Sequence, residues 1–211
     1  MADLAAIRDR VEQDLKDTGN DTWSTDEIDQ QIRRALRVYN AVDPLRDAAV
    51  INSADGQREY SLTSITGYVQ IVNVWYPYDE SSPQYPPNLP HWYMVDHETL
   101  YLDVADAPSG ASDQKIRILY FKPHTIEDLD GGASTTLDGS GETLVVLGAT
   151  AYAAAQYAQS LVGKVTVSGW TPKQLMDWAE ARRIGFDDEL GQLARRLTRV
   201  QDARVAWDGA I

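Results

Sequence analysis

The chain has 211 residues, 43% of them hydrophobic, no cysteine and a formal net charge of −13. That length supports one sizeable core or a core plus a smaller appended domain, and the lack of cysteine excludes disulfides and the thiolates that structural zinc usually uses. The acidity disfavours tight non-specific binding to nucleic acid, which depends on Lys and Arg displacing counterions from phosphates, but it suits a surface past which DNA slides without sticking.

Residues 41–140 hold five Lys/Arg against fifteen Asp/Glu, so most of the acidity sits in the middle of the chain. Residues 141–211 hold eight of each. The N-terminus lacks the basic-then-apolar order of a signal peptide, so secretion by that route is not expected. The longest apolar stretch, Leu144 to Ala155, is too short to cross a bilayer, and no membrane partner is expected.

Leu4, Ile7, Val11 and Leu15 recur at steps of three and four and predict a first amphipathic helix with Asp3 as its cap. Thr18-Gly19-Asn20-Asp21 is a turn. Ser24 precedes Glu27 by three residues, a capping box that opens a second helix. Ile28, Ile32, Ala35, Leu36 and Tyr39 line its inner face, and Asp43-Pro44 stops it.

The pattern then becomes extended. Ala49-Val50-Ile51 and Tyr60-Ser61-Leu62 flank Asp55-Gly56 and predict a hairpin. Tyr68 to Tyr76 is apolar on both faces and predicts a central or well-covered strand, ended by Pro77. Five prolines in residues 77–90 predict a long loop. Tyr93-Met94-Val95 and Leu100-Tyr101-Leu102 predict a second hairpin, and Lys115 to Phe121 alternates with Ile116, Ile118 and Tyr120 on one side. About five strands are expected between residues 45 and 123. Residues 124–141 are acidic and rich in Gly, Ser and Thr, and read as a flexible linker.

Helix returns at about Glu142 to Val162, apolar nearly all round, Ala-rich and therefore buried. Thr171-Pro172-Lys173-Gln174 supplies an N-cap, a proline at the first helical position and a Gln at the third. The last helix carries Leu175, Trp178, Ala179, Leu190, Leu193, Leu197 and Val200 inward, and Gly185 marks a candidate kink. The fold class is therefore α+β. A helical bundle core from residues 1–44 and 142–206 receives a small antiparallel β-domain (45–123), followed by the linker (124–141). The chain ends in a long C-terminal helix and an apolar tail (207–211).

No catalytic constellation stands out. His91, His97 and His124 are isolated, there is no His-Glu-x-x-His or Gly-x-Ser-x-Gly, and no glycine loop cradles a phosphate. His91 and His97 with Asp96 read as ordinary hairpin residues rather than metal ligands. The run Asp128 to Glu142 lacks the alternating oxygens of a calcium loop. No enzyme activity, cofactor or metal is expected. The aromatic set Trp75, Tyr76, Tyr78, Tyr85, Trp92 and Tyr93 fits packing of the β-domain, a protein interface or a sugar-stacking platform. Arg195, Arg196 and Arg199 read as a solvated helix face that could pair with acidic groups of a neighbouring subunit. Trp207 and Ile211 form an apolar tail suited to docking in a partner groove.

The helical hairpin with Trp23-Ser24 and Glu27-Ile28, then Ala35-Leu36, Ala149-Thr150-Ala151-Tyr152, and Ala179-Glu180-Ala181 with Phe186, resembles the head-to-tail connector (adaptor) proteins of tailed bacteriophages, specifically members with a β-rich insertion. The order of elements carries the likeness over nearly the whole chain. The resemblance implies a structural virion protein of the neck, made in the host cytoplasm, with no catalytic residues. It implies a homo-oligomeric ring, commonly of twelve copies, beneath the portal protein. Such a ring extends the DNA channel, through which DNA passes without specific binding during genome ejection, and offers a surface to a tail or nozzle protein. On this likeness Arg204, Trp207, Asp208 and Ile211 map to the portal-embracing segment, and the aromatic set with the arginines maps to a partner or subunit interface. The rival class is a carbohydrate- or receptor-binding virion module built on the aromatic β-domain.

Overall fold

The computed structural model describes residues 2–161 and 171–208, without side chains from residue 199 onward. Two compact units emerge: the residues up to Pro44 together with those from His124 on, and Leu45–Pro123.

The first unit is helical: α1 (Leu4–Leu15), α2 (Thr25–Val42), α3 (Gly139–Ser160) and α4 (Pro172–Asp208). Asp3 caps α1 by accepting from the Ala6 N–H at 2.8 Å. Lys16 closes α1 in the left-handed conformation. Asp17, buried beside it, accepts the N–H groups of Asp21, Thr22 and Trp23 at 3.0–3.1 Å, so one carboxylate holds the whole turn. The capping box opens α2: the Ser24 N–H donates to Glu27 Oε2 at 2.8 Å, and the Glu27 N–H to Ser24 Oγ at 3.4 Å. Each donor is a backbone N–H that a helix start would otherwise leave unpaired.

The helices meet at small residues. A Cβ added to Gly148 would lie 2.9 Å from the Phe186 ring and 3.1 Å from Ala35 Cβ, so α2, α3 and α4 converge where α3 has no side chain. Leu144, Val145, Ala149 and Ala153 of α3 bury against Ile28, Ile32 and Leu36 of α2 and Phe186 and Leu190 of α4. The Trp23 indole donates to the Ala153 carbonyl at 3.1 Å, tying the α2 entrance to α3. At the start of α4, Thr171 and Gln174 exchange backbone-to-side-chain hydrogen bonds at 3.0 and 3.2 Å. The helix runs unbroken through Gly185, and its 37 residues make it about 55 Å long.

The stretch read as a flexible linker differs. Residues 124–138 are a packed loop of the helical unit, with Ile126, Leu129 and Leu137 in its core. Thr135 and Thr136 accept the N–H groups of Glu127 and Thr125 at 3.0 and 2.9 Å, folding the loop on itself. Three apolar anchors outweigh the acidic, glycine-rich composition around them. Asp138 ends the loop by capping α3, accepting from the Gly141 N–H at 2.6 Å, so α3 begins three residues before Glu142.

The second unit is a sandwich of two three-stranded antiparallel sheets. One has the order β1-β6-β3 and the other β2-β5-β4, with β1 Leu45–Ile51, β2 Glu59–Ser61, β3 Gln70–Tyr78, β4 His91–Met94, β5 Thr99–Asp103 and β6 Lys115–Lys122. Ile116, Ile118, Tyr120, Ile71 and Val74 from the first sheet share one core with Tyr60, Leu100 and Leu102 from the second. Burying each such aliphatic side chain contributes about 1.5–3 kcal/mol. The β4–β5 hairpin forms where the sequence placed it. The first expected hairpin does not form: β1 pairs with β6 and β2 with β5, so the two flanks of Asp55-Gly56 enter different sheets. Nor is β3 central. It lies at an edge, passes through Pro77 to Tyr78 and has two register shifts.

Candidate functional site

The six aromatic residues do not form one cluster. Along β3 they divide between faces: Tyr76 points into the sandwich core, its hydroxyl donating to Gln114 Oε1 at 2.9 Å, while Trp75 and Tyr78 point outward. Tyr85, from the proline-rich loop, packs edge-on against Trp75 with ring centroids 6.1 Å apart, and Tyr78 lies 6.2 Å from the same ring. Trp92 packs against the core from β4, and Tyr93 faces outward from that strand.

Arg117 organises the outer group. Its guanidinium lies 4.7 Å from the Trp75 ring centroid and 5.1 Å from that of Tyr78, and it donates to the Tyr78 hydroxyl at 3.3 Å. A cation over the ring faces is attracted by their quadrupoles. The alternation of β6 could have revealed it, because Ile116, Ile118 and Tyr120 inward leave Lys115, Arg117, Leu119 and Phe121 outward. Arg46 of β1 likewise lies over Phe121, at 5.4 Å. On the opposite sheet, Tyr93 stacks on Tyr101 at 4.8 Å and 20°. Arg117, Arg46, Phe121 and Tyr101 thus join the candidate surface, while Tyr76 leaves it for the core.

This unit holds two lysine–carboxylate pairs. Lys115 meets Glu80 at 2.6 Å, and Lys122 meets Asp47 at 2.5 Å. The hydrogen bond from Lys122 holds the Asp47 carboxyl below the usual carboxylate range, and the same bond raises the Lys122 ammonium above its ordinary value. Asp96 is lowered by the Glu98 N–H and the Thr99 hydroxyl, as expected of a hairpin turn carboxylate. Each of these shifts follows from an ion pair or a turn hydrogen bond.

The histidines are dispersed. His91 Nδ1 lies 3.2 Å from Asp103, and the His97 ring lies against Tyr68 at 5.6 Å. His124 is buried with its Nδ1 3.1 Å from the Thr136 carbonyl. Among the described residues no group of three or more His, Asp or Glu could hold a metal ion, and no helix is long and apolar enough to cross a membrane.

In the helical unit an open groove of about 430 Å³ is lined by Leu15, Trp23, Tyr157, Leu161, Leu175 and Trp178. Arg182 closes one side, 5.2 Å from the Trp178 ring and 3.7 Å from Asp14. Asp14, Lys16, Asp17 and Thr22 complete the lining, so apolar and charged groups share it. Farther along α4, Arg195 and Arg196 are exposed. The side chains of Arg199, Arg204, Trp207 and Asp208, and all of Ile211, lie outside the described residues.

No family model matches the chain, and no curated protein matches it. Solved structures that match include chains of gene transfer agent (GTA) particles. One is from the virion of the native particle, at 15% identity, covering 82% of this chain and 86% of that one, with a TM-score of 0.30. A second is from the neck of the empty particle computed with C6 symmetry, at 13% identity, 83% and 87% coverage and a TM-score of 0.32. A third is from the neck of the native particle computed with C12 symmetry, at 14% identity, 83% and 86% coverage and a TM-score of 0.28. Overlap this loose carries no argument about the role of the chain.

Proposed function

We propose that this chain is a structural virion protein, a ring-forming head-to-tail adaptor that docks under a phage portal, extends the DNA channel and offers a surface to the tail. The observation that carries the reading is the order of elements. A capped helical hairpin, an inserted β unit, an Ala-rich buried helix and a capped long final helix follow one another as in the connector proteins the sequence resembles.

In this reading the helical unit is the rigid scaffold and α4 is its reach. A helix about 55 Å long carries Arg204, Trp207 and Asp208 toward the portal, and Ile211 follows them in sequence. Arg195, Arg196 and Arg199 sit earlier on the same helix, where exposed pairing with acidic neighbours contributes about 0–1 kcal/mol each and sets register more than affinity. Ordering the tail only on the portal would offset part of its binding energy and keep free subunits from assembling early. The acid-rich middle of the chain would repel DNA wherever it faces the channel. The carbohydrate reading loses support because the Trp75 ring already carries Arg117 and Tyr85.

Native mass measurement and negative-stain imaging, with and without the portal, test the proposal. A cyclic ring of about twelve copies on the portal is expected, and deletion of residues 204–211 should prevent it. A monomer indifferent to the portal would refute the adaptor reading. Normal assembly of the truncated chain would refute only the tail contact.

A further inference from the structure

The two sheets of the β unit share one core, so their outer faces look in opposite directions. Those faces carry opposite charge. At their outward positions β1 and β6 carry Arg46, Lys115 and Arg117, of which Lys115 is paired with Glu80, in a chain whose net charge is −13. Strands β2, β4 and β5 hold Glu59 and Asp103 with no Lys or Arg, and the β4–β5 turn adds Asp96 and Glu98.

Both faces are also aromatic, where the outer face of a small water-facing sheet is ordinarily polar. On the basic face, Arg46 lies over Phe121 and Arg117 over Trp75. A stacked guanidinium is weakly hydrated yet keeps its planar edge free to fork onto a carboxylate. On the acidic face, the Tyr93–Tyr101 stack makes a flat plate, with Tyr93 47% exposed. Strand register places Glu59 opposite Tyr101 on one side and pairs Asp103 with His91 on the other. Aromatic residues and arginine are the types enriched at protein interfaces.

We propose that the basic face of the β1-β6-β3 sheet of one copy docks on the acidic face of the β2-β5-β4 sheet of the next. The stacked arginines meet Glu59 and Asp103, and the tyrosine plate lies against Trp75 and Phe121. Because the two faces differ, the contact is heterologous: it repeats head to tail and closes into a ring when the rotation permits. The inference rests on the ring reading and supplies that ring with a copy-to-copy contact.

Charge reversal tests it. Arg46→Glu and Asp103→Arg, each made alone in the full chain, should weaken self-association at least tenfold by sedimentation velocity. The double variant R46E/D103R should recover it, because the reversed charges face each other again. Circular dichroism and hydrogen exchange of β6 establish that each variant is folded, and E59R replaces D103R if the latter is not. Single reversals that associate like the native chain would overturn the inference, as would a folded double variant no stronger than the singles. Native rings left intact by the single reversals would sink this contact while the adaptor reading stands. A native chain that remains monomeric at every concentration, alone and with the portal, would sink both.

Discussion

The two units bury their apolar residues to different ends. Of eight large hydrophobic side chains that remain exposed among the described residues, seven (Val50, Val69, Val72, Tyr85, Leu89, Tyr93 and Val95) belong to the β unit, and only Ile184 to the helical one. The helical unit turns its apolar surface inward and draws its helices together at Gly148, Ala35 and Ala153. Six short strands close one core, but the outer faces keep aromatic and aliphatic groups that water does not favour. Among the described residues, the exposed large hydrophobic side chains therefore concentrate in the β unit.

The sharpest way to break that contrast is through the cores. Phe186→Ala should cost the helical unit about 3–5 kcal/mol, because the ring is fully buried against α3 and the cavity cannot collapse. Ile118→Ala should cost the β unit about 2–5 kcal/mol for the same reason. Hydrogen exchange measured unit by unit should show each loss confined to its own unit. Protection lost equally in both would mean that they unfold as one.

A smaller effect tests what holds the helical unit together. Asp17→Ala leaves three buried or half-buried N–H groups without their acceptor and should cost about 1–3 kcal/mol, with exchange rising first at Thr22 and Trp23. Asp138→Ala removes the α3 cap and should cost about 1 kcal/mol. The Gly141 N–H lowers the Asp138 carboxyl below its unfolded value. Its stabilisation is therefore complete above the unfolded carboxylate range and is lost as pH falls through the folded value. Acid melting curves of the native chain and the variant should converge at low pH.

The smallest effect belongs to the β unit. The Asp47–Lys122 pair lowers the folded carboxyl and raises the folded ammonium. Its contribution is lost below the folded Asp47 value and again above the folded Lys122 value. Both groups are more than a third or about a third exposed, so screening holds it under about 1 kcal/mol. Asp47→Asn should flatten the acid limb of the β-unit melt by no more than that.

Local signals in the sequence were reliable wherever the structure is local. Asp3, the Ser24–Glu27 box and Thr171–Gln174 begin helices as their spacing requires, because a cap is a contact across three residues. The β4–β5 hairpin is equally local. Strands β1 and β2 find partners far along the chain, and no turn dipeptide reveals that. The apolar character of β3 on both sides suggested a central or well-covered strand, yet the strand is an edge: Val74 and Tyr76 fill the core while Trp75 and Tyr78 lie half-buried on the outer surface. Composition misled at residues 124–138, where Ile126, Leu129 and Leu137 act through spacing that a linker-like background conceals. Of the candidate surface, Trp75, Tyr78, Tyr85 and Tyr93 were visible, but Arg117, Arg46, Phe121 and Tyr101 were not, because their role depends on cross-strand neighbours.

The contact at Gly148 has a mechanical consequence. Phe186 rests against it, and α4 continues from there to Asp208, a further roughly 33 Å of helix. That span is a lever whose fulcrum is a glycine. A tilt of about 10° at the fulcrum would sweep the far end through about 6 Å, on the order of one helical turn. A methyl added at Gly148 would meet the buried Phe186 ring at 2.9 Å, and the shift of α4 that relieves this contact grows with distance toward the helix end.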